Sequence, residues 1–219
     1  MDESEFPYRS VRRTLLAWFK KNARDYPWRK TGNWFHLTMA EMMLRRTRAD
    51  QAARVYAEFT SRFTTAQSAQ ANREEVLAIL APLGLKWRTK QILETIDYLK
   101  DTYKTRKPSA NDDLTRIPGV GEYSNAMIRN RLYGERLPAL DSNMARLICR
   151  ISGKKFTQES RRNRFVSDVA HSLVQTKHSR DLNLAVLDYC ALVCKPTRPL
   201  CGQCKLISKC KYGATSYRP

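Results

Sequence analysis

No stretch of this chain alternates apolar and polar residues for long enough to make a half-buried strand, while the spacing of a helix face recurs almost throughout. The chain is therefore expected to be essentially all-α. Val11, Leu15, Trp18 and Phe19 predict a helix over about Val11 to Ala23, ended by Pro27. Helices are predicted at about Gln51 to Phe63, at Glu74 to Leu80 with Asn72 and Glu75 as a capping box, and at Lys90 to Tyr103. The turn Ala81-Pro82-Leu83-Gly84-Leu85 separates the last two, and a polar linker from Thr105 to Asp112 follows. Further helices are predicted at about Glu122 to Leu132, Ser142 to Ile151, Ser160 to Val174 and Asp181 to Cys194. With 219 residues the chain can bury a real core, as one domain or as two small interlocked ones.

One predicted helix, about His36 to Arg46, is apolar almost all round, through Leu37, Met39, Ala40, Met42, Met43 and Leu44. Such a helix belongs in a core. Glu41 stands in the middle of it. Either it lies on a narrow polar stripe with Thr38 and Arg45, or it is a buried carboxyl with a raised pKa that can carry a proton. Arg45-Arg46-Thr47 ends the helix with cations that suit its dipole. Capping is one explanation for that pair and DNA contact the other.

Ile117-Pro118-Gly119-Val120-Gly121 reads as a hairpin between helices. Pro118 fixes one backbone angle, and the glycines allow left-handed or crowded conformations. The free N–H groups of the helix that follows would point out of the turn, a ready site for a phosphate. Twenty residues past Gly121 stands a lone acid, Asp141, in Pro-Ala-Leu-Asp-Ser-Asn. Taken alone, it reads as the N-cap of the helix beginning at Ser142.

The formal charge of +19 favours a polyanionic partner. No apolar run reaches the ~18 residues of a spanning helix. The opening Met1-Asp2-Glu3-Ser4-Glu5 is neither a signal peptide nor a basic membrane-anchoring arm. An intracellular protein of cytoplasm or nucleoid is expected, not secreted, with no membrane partner. Four of the six cysteines, Cys194, Cys201, Cys204 and Cys210, follow the spacing C-x6-C-x2-C-x5-C. Disulfides do not suit an intracellular chain, and four such thiolates suit either tetrahedral zinc or a [4Fe–4S] cluster. Only Cys201 and Cys204 form a CxxC pair, a spacing that leans towards the cluster. Cys149 and Cys190 read as buried core thiols, and His36, His171 and His178 have no ligand-like arrangement.

The PGVG hairpin, the acid about twenty residues on and the cysteine tail together resemble the endonuclease III superfamily of DNA glycosylases, over roughly Leu15 to Cys210. The resemblance implies a [4Fe–4S] cluster on the four cysteines and two helical lobes with a cleft between them. One lobe, a six-helix barrel, would span 28–133 with the helix-hairpin-helix at about 113–132. The other would join 1–27 to 134–219 and carry the cluster loop, 194–210. Endonuclease III proper has a Schiff-base lysine where this chain has Tyr123, so hydrolysis without efficient strand scission is implied. Tyrosine there, together with Glu41 and Asp141-Ser142-Asn143, is similar to both Mig-type thymine–DNA glycosylases and MutY-type adenine glycosylases. Leu44-Arg45-Arg46-Thr47 and Arg180-Asp181-Leu182-Asn183-Leu184 look Mig-like, and only nine residues follow Cys210, where MutY enzymes usually carry a second domain.

The expectation is a monomeric glycosylase that removes thymine or uracil mispaired with guanine from double-stranded DNA. A truncated MutY relative and a non-catalytic helix-hairpin-helix DNA-binding protein are the alternatives. The resemblance makes Asp141 the group that stabilises the sugar cation and handles the water, with Asn143 orienting it. Glu41 would serve as proton or hydrogen-bond donor, and Tyr123 would pack against the sugar or the flipped base. Gly119, Val120 and Gly121 would hold a phosphate, and Arg46, with Arg45 beside it, would fill the vacated space. Leu83-Gly84-Leu85 would either wedge the opposite strand or form an ordinary turn with its leucines in the core. Lys195, Arg198, Lys205, Lys209 and Lys211 would track the backbone.

Overall fold

The structure is a computed structural model that describes residues 1–84, 86–104 and 106–216. Eleven α-helices follow one another among these residues, without a strand: α1 (Tyr8–Asn22), α2 (Trp34–Met43), α3 (Ala49–Arg62), α4 (Ala66–Ala71), α5 (Arg73–Leu80), α6 (Lys86–Tyr103), α7 (Glu122–Tyr133), α8 (Ser142–Ser152), α9 (Arg164–Val174), α10 (Ser179–Leu192) and α11 (Lys211–Ser216). The all-α expectation holds. The chain divides into two compact units, residues 25–128 and residues 1–24 with 129–219, so one boundary falls inside α7.

In the unit of residues 25–128, α2 is the buried helix that its composition demands. Asn33 caps it, its side chain accepting from the N–H groups of Phe35 (2.9 Å) and His36 (3.2 Å), and every residue from Leu37 to Met43 is buried. The helix ends at Met43, earlier than expected, because Leu44 closes it and Arg46 takes a left-handed φ of 54°. Arg45 and Arg46 therefore lie beyond the helix end rather than in its last turn. The Asn72–Glu75 capping box does not form. Asn72 also closes α4, so its amide is turned back to the Ser68 carbonyl (2.8 Å), and Glu75 pairs with Arg62. Thr65 and Ser68 form a box of their own at the start of α4.

α6 begins one turn earlier than expected, with an inverted pattern. Arg88 is 2% exposed and Trp87 is 45% exposed. The Arg88 guanidinium donates to the carbonyls of Met43 and Leu83, both at 3.3 Å, and to the Thr47 hydroxyl. In the linker, Arg106 pairs with Asp112 (2.8 Å), whose carboxylate also accepts from the Ser109 N–H (2.8 Å). Thr105, its first residue, lies outside the described residues.

In the other unit, α1 packs on α10, and α8 packs with α9, α10 and α11. Val11, Leu15, Ile148, Val169, Leu173 and Tyr189 meet in the core, where Cys149 and Cys190 are buried as expected. Asp188, fully buried, accepts from the Arg24 guanidinium (2.6 Å) and the Arg24 N–H (3.0 Å). The predicted helix from Ser160 is a 3-10 turn, Gln158–Arg162, followed by α9, because the Asn163 side chain caps α9 by accepting from the Val166 N–H (3.3 Å). α10 stops at Leu192, so Cys194 lies past its end rather than within it, its N–H held by the Tyr189 carbonyl (2.9 Å).

Candidate active site and nucleic-acid interface

The hairpin is built by short-range bonds. Asp113 caps a 3-10 turn at Leu114–Arg116, and the Val120 N–H closes on the Ile117 carbonyl (2.9 Å). Gly119 has φ +83°, and a Cβ there would stand 2.8 Å from the Met42 sulfur, so both conformation and space require glycine. Gly121 has open space around it. Of the three N–H groups expected to hold a phosphate, Val120's is thus spent inside the turn, while Gly121 stands at the entry of α7. The Thr95 hydroxyl donates to the Pro118 carbonyl (2.7 Å), fixing the hairpin to α6. Arg45 fixes it to the end of α2, donating to the Gly119 carbonyl (3.3 Å) and to the Gln91 side chain.

Glu41 is buried, not on a solvated stripe. Burial pushes its carboxyl up to about 8, against the opposing effect of a hydrogen bond with Ser124 on α7. The group is therefore predominantly protonated at neutral pH. Ser124 is itself buried. It directly follows the half-buried Tyr123, so α7 supplies both groups. Leu83 is buried, as in an ordinary turn, and Gly84 has φ +80° with nothing near its missing Cβ. Leu85 lies outside the described residues. Arg46 is exposed.

In the other unit, Asp141 caps α8. Its Oδ1 accepts from the N–H groups of Asn143 and Met144, both at 2.9 Å, and its Oδ2 from the Asn143 amide at 2.6 Å. Burial pushes this carboxyl up, and the Met144 N–H, the Asn143 donors and the charge of Arg146 oppose it. Arg146, 4% exposed, donates to Asn143 Oδ1 (3.0 Å) and to the Cys194 carbonyl (3.1 Å). One arginine thus orients the amide that orients the acid.

Around the cysteine tail, Arg150 donates to Cys194 Sγ (3.2 Å), the Tyr189 hydroxyl to Cys204 Sγ (3.2 Å) and the Gly213 N–H to Cys210 Sγ (3.4 Å). Arg150 also ties down the Lys195 (2.7 Å) and Pro196 (2.8 Å) carbonyls. Among the described residues, no three His, Cys, Asp or Glu side chains stand arranged to hold a metal ion. The donor set still fits one: four thiols, three of them already taking hydrogen bonds that would stabilise thiolate charge. Lys205, Lys209, Lys211 and Arg198 are exposed, and Lys195 is half-buried.

Sequence reasoning missed Ser124, Arg88, Gln91, Arg146 and Arg150. Arg146 and Arg150 carried a signal, two cations four residues apart in the otherwise apolar run from Met144 to Ile151, after a capping acid.

A glycine hairpin opening one helix and an acid capping the next, within an all-helical chain, make a helix-hairpin-helix protein, and its known relatives place it in the DNA glycosylase class. The fold matches the solved structure of a thermostable thymine-DNA glycosylase with a TM-score of 0.83, at 26% identity, over 94% of this chain and 96% of that one. The chain is 30% identical over 209 residues to a thymine-DNA glycosylase of Aeropyrum pernix, covering 93% of this chain and 94% of the relative. It is 31% identical over 205 residues to a thymine/uracil-DNA glycosylase of Pyrobaculum aerophilum, covering 91% and 89%. No protein-family model matches the chain. On these relatives, the chain belongs to the thymine-DNA glycosylase family. No helix among the described residues is long and apolar enough to cross a membrane.

Proposed function

We propose that this protein is a monofunctional DNA glycosylase that flips thymine or uracil out of a mispair with guanine and hydrolyses its glycosidic bond. The observation that carries the reading is Asp141, held by three donors in one orientation at the start of α8. A fixed carboxylate stabilises the positive charge that develops on the sugar as the bond breaks, and it can accept a proton from the attacking water. Asn143 holds it there through Oδ2, with Arg146 behind as a positioning residue. Glu41 keeps its proton at neutral pH and donates it, or a hydrogen bond, to the departing pyrimidine, or else holds the water in place. Tyr123 packs against the sugar or the base. Its phenol cannot form an imine, so strand scission does not accompany base release.

Gly119 and Gly121 hold a backbone phosphate, and Lys195, Lys205 and their basic neighbours follow the strand. Arg46 fills the space of the flipped nucleotide, and the Leu83-Gly84-Leu85 turn meets the opposite strand through its exposed Gly84, since the buried Leu83 belongs to the core and does not wedge. The two expected lobes, 28–133 and 1–27 with 134–219, belong to this reading and are supported by the two compact units, whose boundaries lie a few residues away. Cys194, Cys201, Cys204 and Cys210 would hold a [4Fe–4S] cluster, which braces the basic loop between them. A purified protein that is colourless and carries zinc would contradict that assignment. The protein acts as a monomer on mismatched duplex DNA inside the cell.

The test is single-turnover base release from a G·T duplex by the wild type and by Asp141→Asn, with both confirmed folded. The reading expects release by the wild type and its loss in the variant. Equal release by both would remove Asp141 from the chemistry, and tight binding without release by either would favour the non-catalytic alternative.

A further inference from the structure

Trp87 is a large aromatic side chain left 45% exposed in the first turn of α6, and it takes no part in the proposed chemistry. The Arg45 guanidinium stands 5.8 Å from its ring centroid, within cation–π range. Arg45 is fixed in turn by the Gln91 side chain and the Gly119 carbonyl, so indole, guanidinium and hairpin form one contiguous patch of the unit spanning residues 25–128.

Among the described residues, no ion pair offsets the charge of this patch. Arg45 is held by neutral acceptors. The next residue after Trp87, Arg88, is buried with its Nη groups on two carbonyls and a hydroxyl, and its Nε has no hydrogen-bond partner among the described residues. Burial first, and the charge of Arg45 second, lower the pKa of Arg88. Among the described residues neither guanidinium has a carboxylate beside it. Two guanidinium charges without a carboxylate call for an anion, and an exposed indole calls for a flat apolar partner. A nucleotide supplies both, and base–aromatic stacking tolerates any base because each has a π-face.

We propose that Trp87 and Arg45 form a stacking platform for an unstacked nucleobase next to the flipped nucleotide, while Arg45 and Arg88 attract the adjoining phosphate. The proposal rests on the DNA-glycosylase reading and adds a contact distinct from the Leu83-Gly84-Leu85 turn. It separates two roles. Trp87 favours DNA with a disrupted stack, whereas Arg45 contributes to any DNA through charge.

The experiment measures affinity by fluorescence anisotropy for a fully paired duplex and for one with an abasic-site analogue opposite guanine, each at several salt concentrations. Trp87→Ala is expected to weaken binding to the abasic duplex roughly 5- to 150-fold, with little effect on the paired duplex and an unchanged salt slope. Trp87→Phe should restore most of the loss. Arg45→Ala should weaken both and reduce the salt slope by about one. Equal loss on both duplexes, no loss on the abasic one, or failure of phenylalanine to rescue would each overturn the platform. Thymine release by the wild type, followed on a G·T duplex in parallel, keeps the two readings apart: its absence would refute the glycosylase assignment, while the binding comparison would still decide the role of Trp87.

Discussion

Replacing Glu41 by glutamine should remove a large pH-dependent loss of stability. Burial raises this carboxyl from its ordinary value of 4.5 to about 8. The folded protein therefore binds the proton more tightly than the unfolded chain, and stability falls with rising pH wherever the folded form retains more protons. The contribution is whole below about pH 4.5, declines through the interval to about pH 8 and is constant above it. At about 1.4 kcal/mol per pH unit, the interval amounts to about 5 kcal/mol as an upper bound, since water entry on ionisation relieves part of it. That is comparable with the whole stability of a small domain. Glutamine keeps the shape and the hydrogen bond with Ser124 but does not titrate. Urea unfolding of wild type and Glu41→Gln at pH 5, 6, 7, 8 and 9 measures the difference. The two should be nearly equal at pH 5, with the variant gaining steadily until about pH 8. A difference that stays flat with pH would refute the buried, protonated Glu41.

The same proton should appear in the kinetics. Single-turnover base release by the wild type should fall as pH rises through about 8, and Glu41→Gln should lack that limb; an identical alkaline limb in both would take the proton away from Glu41. Asp141→Asn should keep the cap through Oδ1 but lower the melting temperature slightly, because its new NH2 faces the Asn143 amide that Oδ2 accepts from, whereas Asp141→Ala, which loses the cap as well, should cost about 1 kcal/mol or more. Calorimetry that finds the asparagine variant strongly destabilised would show that capping is not what Asn would preserve. Arg24→Ala leaves the fully buried Asp188 without its guanidinium and should destabilise the protein by roughly 3 kcal/mol or more, measured by denaturant unfolding. A change within experimental error would show that the ion pair contributes little to stability.

The features readable in the sequence were those set by local spacing. The Gly119 hairpin, the apolar α2 and the Asp141 cap each announce themselves within a few residues, because glycine, apolar periodicity and an Asx cap act over one turn of chain. Helix ends were less legible. α2 stops early through a left-handed Arg46, a conformation for which arginine carries no signal. α4 is built from small and polar residues, so it presents no apolar face to recognise. The first turn of α6 hid because it inverts the usual pattern, burying Arg88 and exposing Trp87. Side chains that act across long separations were the hardest. Ser124 meets Glu41 from a helix about eighty residues on, and Arg146, although it stands out as a cation in an apolar run, reaches the Cys194 carbonyl; local sequence names neither partner.

The substrate is the centre of the account, and one panel of duplexes tests it. Oligonucleotides with G·T, G·U, A·8-oxoguanine and A·G pairs are incubated with the protein and resolved with and without alkali. The account expects release of thymine and uracil opposite guanine, with strand breaks only after alkali, as Tyr123 in place of a lysine requires. Release of adenine in place of thymine, or strand cleavage without alkali, would contradict it.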